Sequence, residues 1–454
     1  MSGHNRADPD FKDDLTREIT PANLVGRYIS RIVVERLFGE YDYDLGGDEC
    51  PALGELIILY GENGTGKTTI LRLIYHLLSY ERSAGHRTAI AQTRFQAIAL
   101  HLNDGTVLSA RRKRGRIIGG FEVSLAIPSG QTHDLTYTTE DARYVVRATG
   151  DEAFEKREDA LLGAIADLGI TLRFLGEDRK SPSQSPTLAF SDFLQETALR
   201  KHGAEDARED LLKQATGGVL DWVRQNAVRG ANIGTANANT IYANIIKELT
   251  RGRHRKHHQD DRSYNVLSAL QLEQHRSEAF TKVGLTTSAG IDQLITALKD
   301  VDAETMPVVR NALRPYIDGL NARLNALQPV LDTTTALLDS FNGFYVNKRV
   351  TFNINSGIEI WSRAGELLPL TALSSGEQQL LLLFCDVITM QGSSAVVIID
   401  EPELSLNVTW QRKLIGAFQE LSRMGHTQFI LATHSFEILA KYQECVLSLS
   451  DVTN

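Results

Sequence analysis

Short apolar runs alternate with segments of helical spacing at both ends of the chain. The run from Leu56 to Leu59 places four apolar residues in succession, which is typical of a strand buried on both faces. From Ile70 to Tyr80 the apolar residues recur at three- and four-residue intervals, so a helix is predicted there. Toward the C-terminus the pattern predicts β structure over 348–362, helices over 376–390 and 409–424, and strands over 395–399 and 428–432. This alternation predicts an α/β fold with a doubly wound sheet.

Two further segments of the N-terminal part have the character of β structure. Residues 28–45 are rich in β-branched and aromatic residues, and residues 94–127 predict antiparallel strands joined by an Asn-Asp-Gly turn at Asn103–Gly105. A helix is predicted over 151–170, followed by a strand over 170–180 that ends in a charged turn.

The middle of the chain, from about 187 to 345, is dominated by helical spacing. Two polar stretches, 229–240 and 251–263, interrupt it, and helices are predicted over 307–327 and 330–341. Heptads are not sustained, so we expect a compact lobe for dimerisation or partner contact and no long coiled coil. The chain is therefore divided into a flexible leader (1–25), an N-terminal lobe (26–186), an α-helical insertion (187–345) and a C-terminal lobe (346–454).

Composition and charge exclude several classes of protein. A net charge of -9 gives no overall basic field that would hold nucleic acid. Three widely spaced cysteines, Cys50, Cys385 and Cys445, exclude a disulfide framework and suit a reducing cytoplasm. The polar N-terminus lacks the apolar core of a signal peptide, and the longest apolar stretch, Leu380–Met390, is far short of the roughly 20 residues that cross a bilayer. A cytoplasmic protein without membrane association is expected.

A phosphate-binding loop is predicted between the first buried strand and the helix that follows it. Gly61 to Thr68 fits G-x-x-x-x-G-K-[ST], in which glycines permit positive φ and leave room for phosphates. Backbone N–H groups at the helix N-terminus form a nest for anions. Lys67 supplies a charge for the β and γ phosphates, and the Thr68 hydroxyl suits Mg²⁺. The candidate nucleotide-binding residues are Gly61, Asn63, Gly64, Thr65, Gly66, Lys67, Thr68 and Thr69.

A second set of candidate residues follows some 300 residues later. The apolar run Val396–Ile399 delivers Asp400 at the C-terminal end of a buried strand, where ligands of α/β sheets bind. Asp400 is a candidate Mg²⁺ ligand, and Glu401 is placed to polarise the attacking water of phosphoryl transfer. Ser374 is a good helix N-cap that an anion can approach, and His434 ends another buried strand.

Together these segments resemble an ABC-type ATPase head, of the branch that contains the SMC and RecF proteins and the ATPases of OLD-type nucleases. "LSSGEQ" (373–378) resembles the ABC signature, "VVIIDE" (396–401) Walker B, "LSLN" (404–407) the D-loop and "ATHS" (432–435) the switch-histidine motif. The resemblance covers roughly 28–127 and 345–450. It implies a P-loop NTPase head, with a mixed or parallel sheet and flanking antiparallel strands, interrupted by the α-helical insertion.

The resemblance also implies how the site is assembled. ATP and Mg²⁺ would be bound between copies of the chain, in a homo-oligomer that is at least a dimer. One copy would contribute catalytic Lys67, Glu401 and His434 and the metal contacts Thr68 and Asp400. The second copy would contribute Ser374, Ser375, Gly376 and Glu377.

Three features depart from the family pattern or stay open. Ser375 stands where many members have glycine, and Asn407 where OLD-like members often have histidine. The glutamine loop has three candidates, namely Gln92, Gln96 and the segment 174–179.

Two basic segments are candidates for nucleic-acid contact. Residues 111–116 follow a predicted hairpin strand, and residues 251–258 lie in a polar loop. Runs of this kind are more often solvated, and neither is interleaved with aromatic residues as in a single-strand binder. The second segment also holds His254, His257 and His258, a weaker candidate for metal binding.

We expect no Toprim nuclease domain of the kind that OLD-type proteins carry, because the sequence ends about 20 residues after His434. This architecture resembles the stand-alone ATPases of bacterial anti-phage systems such as PARIS and Septu. The expected function is an ATP-hydrolysing, self-associating ATPase that controls a separate, nuclease-like effector in anti-phage defence. The alternative is a RecF/SMC-like ATPase of DNA repair or recombination, while the insertion and the signature spelling disfavour a transporter subunit.

Overall fold

The computed structural model describes residues 26–46, 54–139, 146, 151–176, 204–250, 265–286, 289–302, 304–390, 394–403, 406–425 and 427–449. Several predicted features lie outside the described residues. They are the leader over 1–25, Cys50, the charged turn over 177–180, the basic segment over 251–258 with its histidines, and residues 404–405 of the D-loop-like segment.

The strands and helices appear in the predicted order. The strands are β1 (Ile29–Leu37), β2 (Tyr41–Leu45), β3 (Leu56–Tyr60), β4 (Ala97–Leu102), β5 (Val107–Arg111), β6 (Phe121–Ala126), β7 (Thr132–Tyr137), β8 (Ile170–Leu175), β9 (Lys348–Asn353), β10 (Gly357–Ser362), β11 (Leu367–Leu368), β12 (Ser394–Asp400), β13 (Thr427–Ala432) and β14 (Val446–Ser448). The helices are α1 (Lys67–Leu78), α2 (His86–Gln92), α3 (Glu152–Ala166), α4 (Ala204–Thr250), α5 (Val266–Lys282), α6 (Ala289–Leu298), α7 (Met306–Phe344), α8 (Ser375–Thr389), α9 (Val408–Gly425) and α10 (Phe436–Lys441).

A parallel sheet in the order β14-β3-β13-β12-β8 carries the candidate site. Because the strands are parallel, their C-terminal ends meet at one edge of the sheet. The sheet is covered on both faces, and β3 shows how. Ile57 and Leu59 join the core that contains α1, whereas Leu56 and Ile58 join the core that contains α8 and α9. Because successive residues are buried on opposite faces of the sheet, a strand such as β3 is apolar at consecutive positions.

An antiparallel sheet in the order β2-β1-β4-β5-β6-β7 shares the first core with α1. The hairpin predicted at Asn103–Gly105 joins β4 to β5, and Gly105 has a φ of 84°. A smaller antiparallel sheet, β11-β10-β9, packs Val350, Phe352 and Ile360 into the second core. The α/β fold class with a parallel sheet, flanking antiparallel strands and a helical insertion is therefore confirmed.

The insertion differs from the predicted pattern at two places. The polar stretch 229–240 was expected to break a helix, but α4 runs through it for 47 residues. Gly230 lies against α7, where a Cβ atom would come within 2.8 Å of the Ala326 carbonyl oxygen and 2.9 Å of Leu327 Cδ2. Glycine thus allows the two helices to approach closely, and this packing outweighs its poor helix propensity.

The second difference concerns α7, which is one helix of 39 residues where two helices were predicted. Pro329 lies inside it and removes one backbone hydrogen bond. The buried apolar face continues on both sides of this proline, through Leu324, Leu327, Val330 and Leu331. Burial of such side chains, at about 1.5–3 kcal/mol each, offsets the interruption. The insertion is therefore built on two long helices, α4 and α7, that pack along each other. A compact lobe for dimerisation or partner contact stays a prediction.

Helix α8 connects the insertion to the parallel sheet. Its apolar stretch is buried, as predicted for Leu380–Met390, with Leu380, Phe384 and Val387 fully covered. The Arg173 guanidinium of β8 bonds both oxygens of the Asp386 carboxylate at 3.0 Å, which ties α8 to an edge strand. Within the part of the chain that the structure describes, no helix has the length and apolar character needed to cross a membrane.

Candidate functional site

The loop between β3 and α1 has the geometry that its glycines require. Gly64 and Gly66 have φ angles of 94° and 95°, a region that other residues enter only with strain. A Cβ atom on Gly66 would also lie 2.4 Å from Leu37 Cδ2 of β1. Helix α1 begins directly after Gly66. The backbone N–H groups at the N-terminus of this helix therefore lie at the loop, where an anion can bind. This is the shape of a phosphate cradle.

Lys67 is held inside this loop. Its Nζ atom donates to the carbonyl oxygen of Gly61 at 2.8 Å and to that of Glu62 at 3.2 Å, and only 6% of the residue is exposed. Burial lowers the pKa of Lys67, although nearby carboxylates act in the opposite direction. A phosphate placed in the loop would meet a cation that is already desolvated and oriented.

Thr68 and Asp400 come together across 332 residues of sequence. The Thr68 hydroxyl donates to Asp400 Oδ1 at 3.1 Å, and Asp400 is 3% exposed at the end of β12. A hydroxyl beside a carboxylate fits Mg²⁺, which takes few protein ligands and keeps several waters. No group of three or more His, Cys, Asp or Glu side chains suited to a metal ion occurs in the described ranges.

Glu401 has an unusual backbone conformation. Its φ is 51°, and its N–H donates to the Ala432 carbonyl oxygen of β13 at 2.9 Å. A non-glycine residue in this region is strained by about 1–2 kcal/mol. Burial, followed by the neighbouring carboxylates of Glu403 and Asp400, raises the pKa of Glu401 to about 8. His434 Nε2 lies 3.6 Å from Glu401 Oε1, so the candidate base and the candidate sensor face each other.

Glu403 was not predicted from the sequence, yet it organises the loop after β13. One carboxylate oxygen, Oε1, accepts hydrogen bonds from Thr433 Oγ1 at 2.5 Å, His434 N at 2.8 Å and Ser435 N at 3.0 Å. The sequence signal was a third carboxylate two positions after Glu401. Only the fold shows that this carboxylate turns toward a different loop.

The signature segment forms the N-terminus of α8. Ser374 caps the helix in a capping box, in which Glu377 N donates to the serine hydroxyl and Ser374 N donates to Glu377 Oε2 at 2.7 Å. Lys348 Nζ also donates to Glu377 Oε2 at 2.7 Å. Burial acts to raise the pKa of Glu377, but the hydrogen bonds from Lys348 and Ser374 lower it overall. Glu377 and Gly376 are buried, whereas Ser374 and Ser375 are exposed.

A family model described as "AAA domain, putative AbiEii toxin, Type IV TA system" matches residues 56–440. The chain belongs to this AAA domain family. No curated protein matches the chain.

Remote similarity to solved structures was also found. The Smc head domain with an extended coiled coil, bound to the C-terminal domain of ScpA, from Pyrococcus furiosus is 12% identical, with a TM-score of 0.37 and 93% of each chain covered. The Smc head domain with a coiled coil and joint from Pyrococcus yayanosii is 14% identical, with a TM-score of 0.37, covering 93% of this chain and 95% of that one.

Within the AAA domain, the predicted residues form two groups. Lys67, Thr68, Asp400, Glu401 and His434 share one edge of the parallel sheet. Ser374 and its neighbours do not join them. Among the described residues, the side-chain hydrogen bonds of this capping segment go to its own turn and to β9 and the end of α7, and none reaches the phosphate loop.

The three candidates for the glutamine loop lie at different places. Gln92 ends α2, and Gln96 pairs its backbone with Glu35 and Arg112 in the antiparallel sheet. The segment 174–179 begins at the end of β8, where Leu175 pairs with Ile399 beside Asp400. Its residues 177–179 lie outside the described ranges. The sheet topology thus favours the third candidate on position, and its role stays a prediction.

Two further sequence candidates have structural partners. Asn407 of the D-loop-like segment accepts a hydrogen bond from Trp410 N at 2.9 Å, which caps the start of α9. Arg112, part of the basic segment 111–116, is 3% exposed and donates to the carbonyl oxygens of Phe95 at 2.6 Å and Ile90 at 2.7 Å. The Arg112 guanidinium is therefore directed to backbone carbonyl oxygens inside the fold and is not available to a phosphate. Contact between the rest of the segment and nucleic acid stays a prediction.

Proposed function

We propose that this AAA domain protein binds ATP with Mg²⁺ and hydrolyses it in a site shared by two copies of the chain. The observation that carries the proposal is the hydrogen bond between Thr68 and Asp400. It places the phosphate loop directly beside the acidic end of β12, with Lys67 and Glu401 at the same edge. Loop, cation and carboxylates of this kind are the parts that phosphoryl transfer requires.

Each residue of this edge has a distinct role in the proposal. The backbone of 61–66 and the Lys67 ammonium hold the phosphates, and Thr68 and Asp400 hold Mg²⁺. Bound Mg²⁺ supplies charge neutralisation on the phosphate oxygens. Glu401 orients and deprotonates the attacking water, and His434 contacts the γ-phosphate. The 3.6 Å separation between Glu401 and His434 supports a shared position for that water.

The second half of the proposed site comes from another copy. Ser374 and Ser375 are exposed at the N-terminus of a helix of 15 residues, where an anion is favoured by the helix dipole. The capping box orders this turn before a phosphate binds. A γ-phosphate bound in the phosphate loop of one copy would therefore contact the signature turn of the other copy. In this way ATP would hold the two copies together.

The nucleotide cycle is proposed to control a separate effector in bacterial anti-phage defence, in the cytoplasm. The long paired helices α4 and α7 are the part of the insertion that could carry a conformational change from the ATPase sheet to such a partner, because α4 and α7 also pack against α8. The family description, which names a toxin and a Type IV TA system, supports a protein that acts within a defence or toxin system.

Mixing two inactive variants tests the shared site. Lys67→Ala removes the phosphate-loop cation, and Ser374→Arg blocks the signature turn, so each variant alone is expected to be inactive. In a mixed dimer the two defects fall in one site and the other site is intact. ATP hydrolysis should return on mixing, up to roughly a quarter of the parental rate for a two-fold symmetric dimer.

Two measurements make this test decisive. Circular dichroism of each variant should match the parent, and mass photometry of differently tagged chains should show that mixed dimers form. If mixed dimers form and the rate is only the sum of the two residual rates, the site is not shared between copies.

A further inference from the structure

A pocket lies beside the signature turn, on the face of the β9-β10-β11 sheet that does not enter the core. Its volume is about 840 Å³, and its lining includes Lys348, Arg349, Thr351, Trp361, Ser362 and Arg363. Ligand pockets for small molecules commonly have volumes of about 300–1,000 Å³. Strand alternation explains why Arg349, Thr351 and Trp361 face outward, because Val350, Phe352 and Ile360 face the core. Lys348 and Ser362 form the last pair of β9 and β10, at the end of this face.

The lining is positively charged. Arg349 and Arg363 are exposed, and neither guanidinium has a hydrogen bond or ion pair with any residue that the structure describes. Lys348 is the third cation and is paired with Glu377. Glu359 and Glu366 are the carboxylates nearest along the strands, and neither belongs to the lining. Two unpaired guanidinium groups favour an anionic ligand with oxygen acceptors, such as a phosphate.

The pocket also contains an oriented aromatic ring. The Trp361 indole Nε1 donates to Thr351 Oγ1 at 2.9 Å across the strand pair, which restricts the rotation of the ring. Trp361 is partly exposed, and Val346 at the pocket rim is 86% exposed. An aromatic ring on a sheet face, flanked by arginines, is the arrangement on which nucleic-acid bases stack.

We propose that this pocket binds a nucleotide unit distinct from the ATP of the phosphate loop. The base stacks on Trp361, and the phosphate is held by Arg349 and Arg363. The unit is either a free nucleotide or one nucleotide of a single strand, since both offer the same base and phosphate. Residues 111–116, a basic segment apparent from the sequence, are not among the residues that line this pocket.

One residue of the pocket lining is hydrogen-bonded to the signature turn. Lys348 lines the pocket and donates to Glu377 Oε2, and the same oxygen accepts from Ser374 N. A ligand phosphate near Lys348 competes with Glu377 and loosens the capping box. The consequence for ATP-driven association rests on the proposed function, whereas ligand binding in the pocket does not.

Binding is measured with two probes, fluorescein-labelled dT10 by anisotropy and AMP by titration calorimetry, without ATP. The parent should bind at least one probe. Trp361→Leu should weaken that binding about fivefold or more, as expected for the loss of base stacking. The double substitution Arg349→Ser with Arg363→Ser should weaken it tenfold or more and flatten its salt dependence. The matched control, Arg229→Ser with Arg323→Ser, removes two exposed arginines outside the pocket and the basic segments and should bind like the parent.

The pattern of losses distinguishes the ligand sources. Loss of dT10 binding in the pocket variants indicates a single strand, and loss of AMP binding without any dT10 binding indicates a free nucleotide. Binding of a fluorescent ATP analogue should be unchanged in these variants, which shows that the phosphate loop is intact. The proposal is overturned if neither probe binds the parent, if the pocket variants bind like the parent, or if the control loses as much affinity. None of these outcomes depends on whether the chain hydrolyses ATP.

Discussion

Glu403 shows how a single carboxylate can set the geometry of a loop. Three donors on consecutive residues, Thr433, His434 and Ser435, converge on one of its oxygens. Hydrogen bonds to a charged acceptor contribute about 1.5–3 kcal/mol each, so this set is strong enough to hold the loop after β13. The position of His434 opposite Glu401 therefore depends on a residue that is not itself proposed to touch the nucleotide.

Replacing Glu403 by alanine should slow ATP hydrolysis at least about tenfold while ATP affinity stays close to the parent, because the phosphate loop is untouched. Glu403→Gln keeps one acceptor oxygen and should retain more activity than Glu403→Ala. Steady-state hydrolysis and binding of a fluorescent ATP analogue measure the two effects, and Glu420→Ala on α9 serves as a control. Equal rates for Glu403→Ala and the parent would show that the loop is positioned by other contacts.

The contact between α1 and α2 is built on two histidines. His76 and His86 place their Nδ1 atoms 2.9 Å apart, and the Tyr75 ring lies at 5.3 and 5.4 Å from their rings. Burial, together with the charge of Arg87, lowers the pKa of His76 to about 4. Burial, the neighbouring His76 and Arg87 lower the pKa of His86 to about 3. Both rings are therefore neutral in the folded protein at neutral pH.

This pair makes stability depend on pH. In the unfolded chain each histidine has a pKa near 6.5, so the unfolded state takes up protons first as the pH falls. Stability is fully present above about pH 6.5 and is lost as the pH falls toward 4, by on the order of 2 kcal/mol for each histidine at pH 5. Urea unfolding at pH 7.5 and pH 5 should show this loss. The double substitution His76→Asn with His86→Asn keeps a polar contact without the titration.

Comparing the parent with the double variant separates the effect of the histidines on stability from the effect of other groups that titrate at low pH. Carboxylates also destabilise the fold at low pH, and they are the same in both proteins. The free energy of unfolding should thus fall less between pH 7.5 and pH 5 in the double variant than in the parent. An identical fall in both would show that the pair is protonated in the folded state as easily as in the unfolded state.

At the scale of the whole molecule, the parallel sheet brings distant segments to one edge. β3 (Leu56–Tyr60) lies far from β12 (Ser394–Asp400) and β13 (Thr427–Ala432) in sequence. The sheet nevertheless brings Lys67, which follows β3, to the same edge as Asp400 and His434. The signature turn belongs to a helix in the other core and stays exposed. The separation of the sheet edge from the signature turn is the basis of the proposed site shared by two copies.

Glu401→Gln should therefore bind ATP, hydrolyse it at least about a hundredfold more slowly than the parent, and accumulate as a species of twice the chain mass. The amide keeps the shape of the side chain but cannot take a proton from water. Light scattering with ATP and Mg²⁺ measures the mass, and adding Ser374→Arg to the same chain should prevent the doubling. Hydrolysis at the parental rate, or a single-chain mass with ATP bound, would contradict the assigned role of Glu401.

Patterns among neighbouring residues were sufficient to predict several elements of the fold. The apolar run Leu56–Leu59 and the glycines that follow it predicted a buried strand and a phosphate loop, because burial on two faces and positive φ each leave a signature in neighbouring residues. The chemical roles of the residues that meet at the sheet edge remain predictions. Arg112 and Glu403 could not be assigned in the same way, since an arginine in a basic run and a carboxylate in an acidic turn look solvated until their partners are known.

The order of strands and helices, the phosphate loop and the apolar faces were determined by the sequence itself, through spacing and side-chain type. Only the tertiary structure decided that α4 continues through its glycines, that α7 continues through Pro329, that Glu403 holds the loop of His434, and that Trp361 and two unpaired arginines line one pocket. The physical reason is that each of these features depends on contacts between residues far apart in sequence. Close packing and long-range hydrogen bonds overrule local propensity, and they leave little trace in the residues on either side.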